Sequence, residues 1–300
     1  MIEQIAPVFL FVLIGYLFKI LKEDISHALI EFVIYFSLPA LALSKIRALE
    51  FNDIILKVIA ISYIAMFVSF LLSLIIGKAL RLSRRDLATF MIVSIFGNTS
   101  FVGFSYIESL YSMHEIVYAL VYDQLGSFVA LLTFGVAIIS WGGGKQEGFK
   151  RDVLKQIFLS PPLLAIIVAI YFHGTVFPSY LEGILDKLQA TLIPLVTIIV
   201  GMKLEIKALR YYFKENVIAL FIKMFLTPFI MFGFFHYFID FSAIWAKVTF
   251  LEIAMPPMTM ATVFAIKGGL NKNLAINTLA LGIIISFVSI AAWNSILELL

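Results

Sequence analysis

The sequence contains no cysteine. That excludes disulfides and thiolate metal sites, and it removes the usual marker of redox compartment. Charge is nearly as scarce. Asp, Glu, Lys and Arg make up 14% of the 300 residues, against roughly 25% in a soluble domain. The net charge is only +3, with the basic residues in short loops, so nucleic acid is not an expected partner. The four histidines, His27, His114, His173 and His236, fall near the ends of apolar runs. No two have ligand spacing, so no metal site is expected. The motifs of common enzyme classes are missing as well: no His-Glu-x-x-His, no nucleophile elbow and no phosphate loop. Only one Asp lies convincingly inside an apolar run, which leaves an intramembrane protease without its paired groups. Neither catalysis nor a cofactor is expected.

What the chain has instead is apolar length. It is 62% hydrophobic with a mean hydropathy of +1.04, the composition of a polytopic membrane protein. A span needs about 20 mostly apolar residues. Ten such segments fall at 2–21, 26–46, 54–80, 87–111, 115–141, 153–172, 180–204, 209–236, 246–267 and 273–297. The first begins Met1-Ile2-Glu3-Gln4, without a basic leader or cleavage site, and reads as a span and not a signal peptide. A glycine-rich charged linker at 142–152 divides the chain into a first repeat, 1–141, and a second, 153–300. One offset of 155 residues lays Pro39 on Pro194 and the interruption at Gly97–Gly103 on Glu252–Met258. Five spans per half put the second copy upside down. The expected fold is all-α, ten transmembrane helices in two inverted five-helix repeats. With the N-terminus outside, 16 Lys and Arg fall in cytoplasmic loops and 5 on the other side, while Lys223 lies within span 8. Both termini are therefore expected to be extracytoplasmic. The loop after span 2, with Lys45 and Arg47, runs against that assignment.

Span 4 carries Gly97-Asn98-Thr99-Ser100-Phe101-Val102-Gly103, poor material for an unbroken helix in lipid. Span 9 carries Glu252-Ile253-Ala254-Met255-Pro256-Pro257-Met258-Thr259. Paired interruptions of this kind point to a transporter binding site. The plainer reading is a pair of kinks, with Asn98 and Thr99 capping their own helix and two prolines removing two donors. On the binding reading, Gly97, Asn98, Thr99, Ser100, Gly103, Met255, Pro256 and Pro257 contact substrate. The half-helix N-terminus then favours an anionic group. Asp123 and Gln124 in span 5 are candidates for ion coupling, since an ionisable group this deep in a span is costly unless used. Ala119, Asp123, Gly126, Ser127 and Ala130 form a small and polar face suited to packing on a broken helix. Lys223 should pair with Asp123, Glu252 or Glu108. Glu252 is a site for a proton or cation, and Asn277 lies beside Thr278, the repeat mate of Asp123. Glu31 and Glu108 read as peripheral.

Gly97–Phe104, Tyr122-Asp123-Gln124-Leu125-Gly126 and Ala254-Met255-Pro256-Pro257 together resemble the auxin efflux carrier family, in its prokaryotic branch of malonate-type or organic-anion permeases. The resemblance covers essentially all ten spans. It implies a fold of the sodium/proton antiporter and bile-acid transporter type, with spans 4 and 9 crossing. It also implies a scaffold of spans 1, 2, 6 and 7, which often dimerises, and a moving domain of spans 3–5 and 8–10. By position, Asn98 and its neighbours line the substrate site and Pro256 or Pro257 marks the second crossing. The chain departs from the family at Ser105, where a proline is common, and it lacks the long cytoplasmic loop of the plant carriers.

The reading that follows is a secondary transporter in the cell membrane. It carries a small organic anion by an elevator-type movement coupled to H+ or Na+, as a homodimer in the bilayer. A cation-coupled symporter or antiporter on the same fold and a non-transporting ligand receptor are the alternatives.

Overall fold

The computed structural model describes residues 2–49, 52–143, 160–204 and 212–300. Every regular element among them is helical, and the two residues in β-type pairing belong to one isolated bridge. Among the described residues, six helices are long and apolar enough to cross a membrane: α2 (Ser26–Lys45), α3 (Asp53–Ala79), α6 (Ile116–Gly143), α8 (Ser179–Lys203), α9 (Phe213–Phe238) and α12 (Lys272–Leu297). Between and before them lie α1 (Ile2–Leu21), α7 (Pro161–Tyr171) and two interrupted segments. The first consists of α4 (Arg84–Ile95) and α5 (99–110), the second of α10 (Ile244–Ile253) and α11 (Thr259–Lys267). Large apolar side chains such as Phe67, Ile75, Phe229 and Val288 are exposed, as suits a surface that meets lipid. From residue 144 onward the expected linker lies outside the described residues. So do residues 153–159 of the expected sixth span, and Lys145, Lys150, Arg151, Lys155, Lys207 and Arg210 from the charge pattern.

Proline shapes these helices, because it donates no hydrogen bond and its ring crowds the carbonyl four residues back. In α2 a wide turn over Val33–Ser37, closed by Leu38 N–H on the Val33 carbonyl, precedes Pro39. In α9 the same kind of turn spans Ile222–Leu226, just before Pro228. The Met224 carbonyl, which Pro228 cannot reach, accepts the Trp293 indole N–H at 2.9 Å. Two irregular stretches also meet: Ser37 Oγ lies 2.7 Å from Thr191 Oγ1, close to Pro39 and Pro194. Polar caps start the main helices in standard fashion, with Asn52 accepting from Ile54 N–H, Ser83 from Asp86 N–H and Asn271 from Leu274 N–H.

Candidate functional site

The helix α4 stops at Ile95 because the backbone turns extended at Phe96 (φ −89°, ψ 122°) and leads into Gly97. On the other segment, Pro256 and Pro257 supply no donors, and α10 ends at Ile253. Inside a bilayer the freed groups need partners, and the two breaks supply them to each other. Asn98 N–H donates to the Pro256 carbonyl at 2.7 Å, and Met258 N–H donates to the Phe96 carbonyl at 2.9 Å. Between these bonds, Gly97 and Pro257 face one another in an antiparallel bridge. Pro257, like Gly97 opposite it, thus holds a position of this short ladder whose N–H points away from the partner strand, where a proline costs no bond. The carbonyl of Ile253, four residues before Pro257, accepts from Lys223 Nζ at 2.6 Å. A side chain on Gly97 would stand 3.2 Å from Lys223 Nζ, so the ammonium rests directly against this glycine.

Around the bridge the polar side chains converge. Asn98 is fully buried. Its amide donates to Thr259 Oγ1 at 2.9 Å, while Oδ1 has no hydrogen-bond partner. Its main-chain carbonyl accepts from Val102 and Gly103 N–H, closing the first turn of α5. The Asp123 carboxylate sits beside that turn. Thr99 and Ser100 hydroxyls donate to its Oδ1 at 2.5 and 3.1 Å, and Gln124 Nε2 donates to its Oδ2 at 2.6 Å. On the far side the Glu252 carboxylate lies on Gly103, where a Cβ would collide with it. Glu252 is fully buried, and neither carboxyl oxygen has a hydrogen-bond partner. It lies within electrostatic reach of both Asp123 and Lys223.

The structure therefore brings Gly97, Asn98, Thr99, Ser100, Gly103, Met255, Pro256, Pro257, Asp123, Gln124, Lys223 and Glu252 to one buried place. Three details differ from expectation. The break in the first segment is shorter than Gly97–Gly103, since Thr99–Gly103 is already a wide helical turn. The direct hydrogen-bond partner of Lys223 is a carbonyl and not a carboxylate, and Glu108 is exposed. Gly126 of the small face packs on Ser62 of α3, so only part of that face meets the broken segment. Asn277 is buried on α12 at its contact with α9, where the neighbouring Thr278 hydroxyl donates to Asn216 Oδ1 at 2.9 Å. Two contributors were not singled out in the sequence. Thr259 holds Asn98, and Gly282 of α12 is where a side chain would strike Pro256 and Pro257. A small residue in α12 facing a double proline is the signal that would have found the second.

The sequence pattern of the family described as membrane transport protein matches residues 1–294. An uncharacterized transporter of Methanocaldococcus jannaschii is 26% identical over 303 residues, covering 98% of each chain. An uncharacterized transporter of Methanothermobacter thermautotrophicus is 25% identical over 304 residues, again with 98% of each chain covered.

Proposed function

Because the chain belongs to the membrane transport protein family, that of the auxin efflux carriers, we propose that it is a secondary transporter of a small organic anion. The observation that carries this reading is the Asp123 carboxylate on the Thr99 and Ser100 hydroxyls at the first turn of α5. The protein's own carboxylate occupies an anion-receptive helix start, and a substrate carboxylate would exchange with it or bind beside it. Lys223, over Gly97, and the Asn98 amide, which gives one N–H to Thr259 and has a second to donate, are the groups in reach of such a substrate.

The movement is of the elevator type, with α1, α2, α7 and α8 as frame and α3–α6 with α9–α12 as the moving body. That one interruption from each half meets the other at a single crossing supports an inverted repeat. Dimerisation runs through the frame, where Leu29, Phe32, Pro194 and Leu195 line an apolar groove on α2 and α8. The protein resides in the cell membrane with both termini outside. Glu252 favours coupling to a cation, since a carboxyl with no hydrogen-bond partner in a dry site is stabilised by a proton or Na+.

Reconstituted vesicles loaded with labelled mono- and dicarboxylates test the reading, with pH and Na+ gradients applied separately. Flux that follows one gradient is expected. Asn98→Ala and Asp123→Asn should lower it about tenfold or more, the scale of losing charge-assisted hydrogen bonds. Binding without flux would replace the transporter with a receptor. Unchanged gradient dependence in Asp123→Asn would remove that residue from coupling.

A further inference from the structure

Away from the crossing, the C-terminal end of α5, the start of α10 and the end of α12 border an open cavity of about 620 Å³. Its lining includes Leu110, Tyr111, Lys247, Asn294, Ser295 and Glu298. The volume lies in the range of small-molecule sites. The walls are fixed. Phe250 of α10 packs edge-on against Trp293 of α12 at 5.3 Å, and Tyr111 donates its hydroxyl to Asn294 Oδ1 at 3.0 Å. With Oδ1 taken, the donor end of Asn294 is what this side chain offers a ligand.

Two charges face each other in this cup. Lys247 Nζ and Glu298 Oε1 are 3.7 Å apart, close enough to attract and too far for a direct hydrogen bond. The Lys247 side chain is only 14% exposed and that of Glu298 is 56% exposed. A half-exposed pair of this kind contributes little by itself, so parting it to admit a ligand costs little. The sum of the two charges is zero. An anion would satisfy Lys247 and be repelled by Glu298, and a cation would meet the reverse. A molecule bearing both charges satisfies both walls.

We infer that this cavity is a binding site for a small zwitterion of the amino-acid class, with its carboxylate on Lys247 and its ammonium on Glu298. The site is separate from the crossing, since Lys247 precedes Ile253 by roughly 9 Å along α10. It does not rest on the transport reading, and its occupant need not be transported.

The purified full-length chain is titrated with glycine and alanine, and with acetate and methylammonium as single-charge controls. Calorimetry gives affinity, and the fluorescence of Trp245 and Trp293, next to lining residues, reports the place. Glycine or alanine should bind at least about tenfold tighter than either control. Glu298→Gln should exchange that preference, weakening the zwitterion and strengthening acetate, and Lys247→Met should abolish binding of both. The titrations are repeated in Asn98→Ala, which weakens carboxylate binding at the crossing and leaves the contribution of this cavity. If Lys247→Met folds poorly, the exposed Glu298→Gln carries the test alone. Equal binding of acetate and glycine to the native chain, no saturable binding, or indifference to Glu298→Gln would each overturn the inference.

Discussion

At the scale of single residues, the site is built on close approach. Gly103 lets the Glu252 carboxylate lie on the backbone of α5, and no other residue leaves that room. Gly103→Ala should therefore destabilise the protein by about 1–3 kcal/mol, as overpacking of a buried contact does. Glu252→Ala combined with it should recover part of that loss, with a coupling of roughly 0.5–3 kcal/mol in a double-mutant cycle of thermal unfolding in detergent. Independent, additive losses would mean that the contact is not what Gly103 serves. Asp24, between α1 and α2, makes a pH prediction. Burial works against its charge, but Ser26 N–H at 2.9 Å, with Lys203 and Lys19 nearby, outweighs it and holds the carboxyl below its ordinary value. A carboxyl lowered by folding stabilises the native state above its unfolded pKa and stops doing so as pH falls through its folded one. Asp24→Asn should thus lower Tm at neutral pH and leave it unchanged at about pH 2–3.

At the scale of elements, proline and glycine made the interruptions legible, because their effect is local. Pro39, Pro256 and Pro257 mark irregular backbone wherever they stand, and α2 and the second broken segment bear this out. The partner of Lys223 was not legible in the same way. It depends on which carbonyl Pro257 strands, and on α9 passing close enough for a lysine to take it. The antiparallel pairing of Gly97 with Pro257 was hidden too, since it joins two segments far apart in the chain. That pairing predicts an asymmetry between neighbouring positions. Pro257→Ala adds an N–H that points away from the partner and should change stability little. Met258 has φ −73°, a value proline adopts, yet its N–H holds the Phe96 carbonyl. Met258→Pro therefore removes one hydrogen bond with little strain in φ. It should cost about 1–3 kcal/mol, the penalty of a buried carbonyl left alone, read as a fall in Tm. A larger loss for Pro257→Ala than for Met258→Pro would contradict the ladder.

At the scale of the whole molecule, the offset read from the sequence and the pairing at the crossing do not share one register. The offset that lays Pro39 on Pro194 puts Gly97 on Glu252. In space the reciprocal bonds exchange Asn98 with Met258 and Phe96 with Pro256, a register shifted by roughly five residues. Arg47, which ran against the charge asymmetry, is buried and bonded to Glu182 and to the Thr175 carbonyl, with its guanidinium 4.3 Å from the Phe177 ring centroid. It ties α2 to the α7–α8 loop, so it weighs less as a free loop charge. The same view separates two kinds of contact. α1 and α8 meet backbone to backbone, with Gly15 on the Ile198 carbonyl and Gly201 on the Val12 carbonyl, as parts of one rigid frame would. Against them α5 and α12 present Phe101, Val102 and Phe287 around a cavity of about 10 Å³, room for about one water. One hydroxyl pair crosses this seam, Ser105 Oγ to Thr197 Oγ1 at 2.9 Å. The absence of native cysteine makes the seam testable without background. With Ser105→Cys and Thr197→Cys together, oxidation should stop transport in vesicles and reduction should restore it, because the proposed frame and moving body are then joined. The matched pair within the frame, Ser37→Cys with Thr191→Cys, begins from hydroxyls 2.7 Å apart and should cross-link without stopping flux. Full transport with the Ser105–Thr197 pair cross-linked would mean that α5 does not slide on α8, and an equal block by the Ser37–Thr191 pair would mean that α2 and α8 do not form a fixed frame.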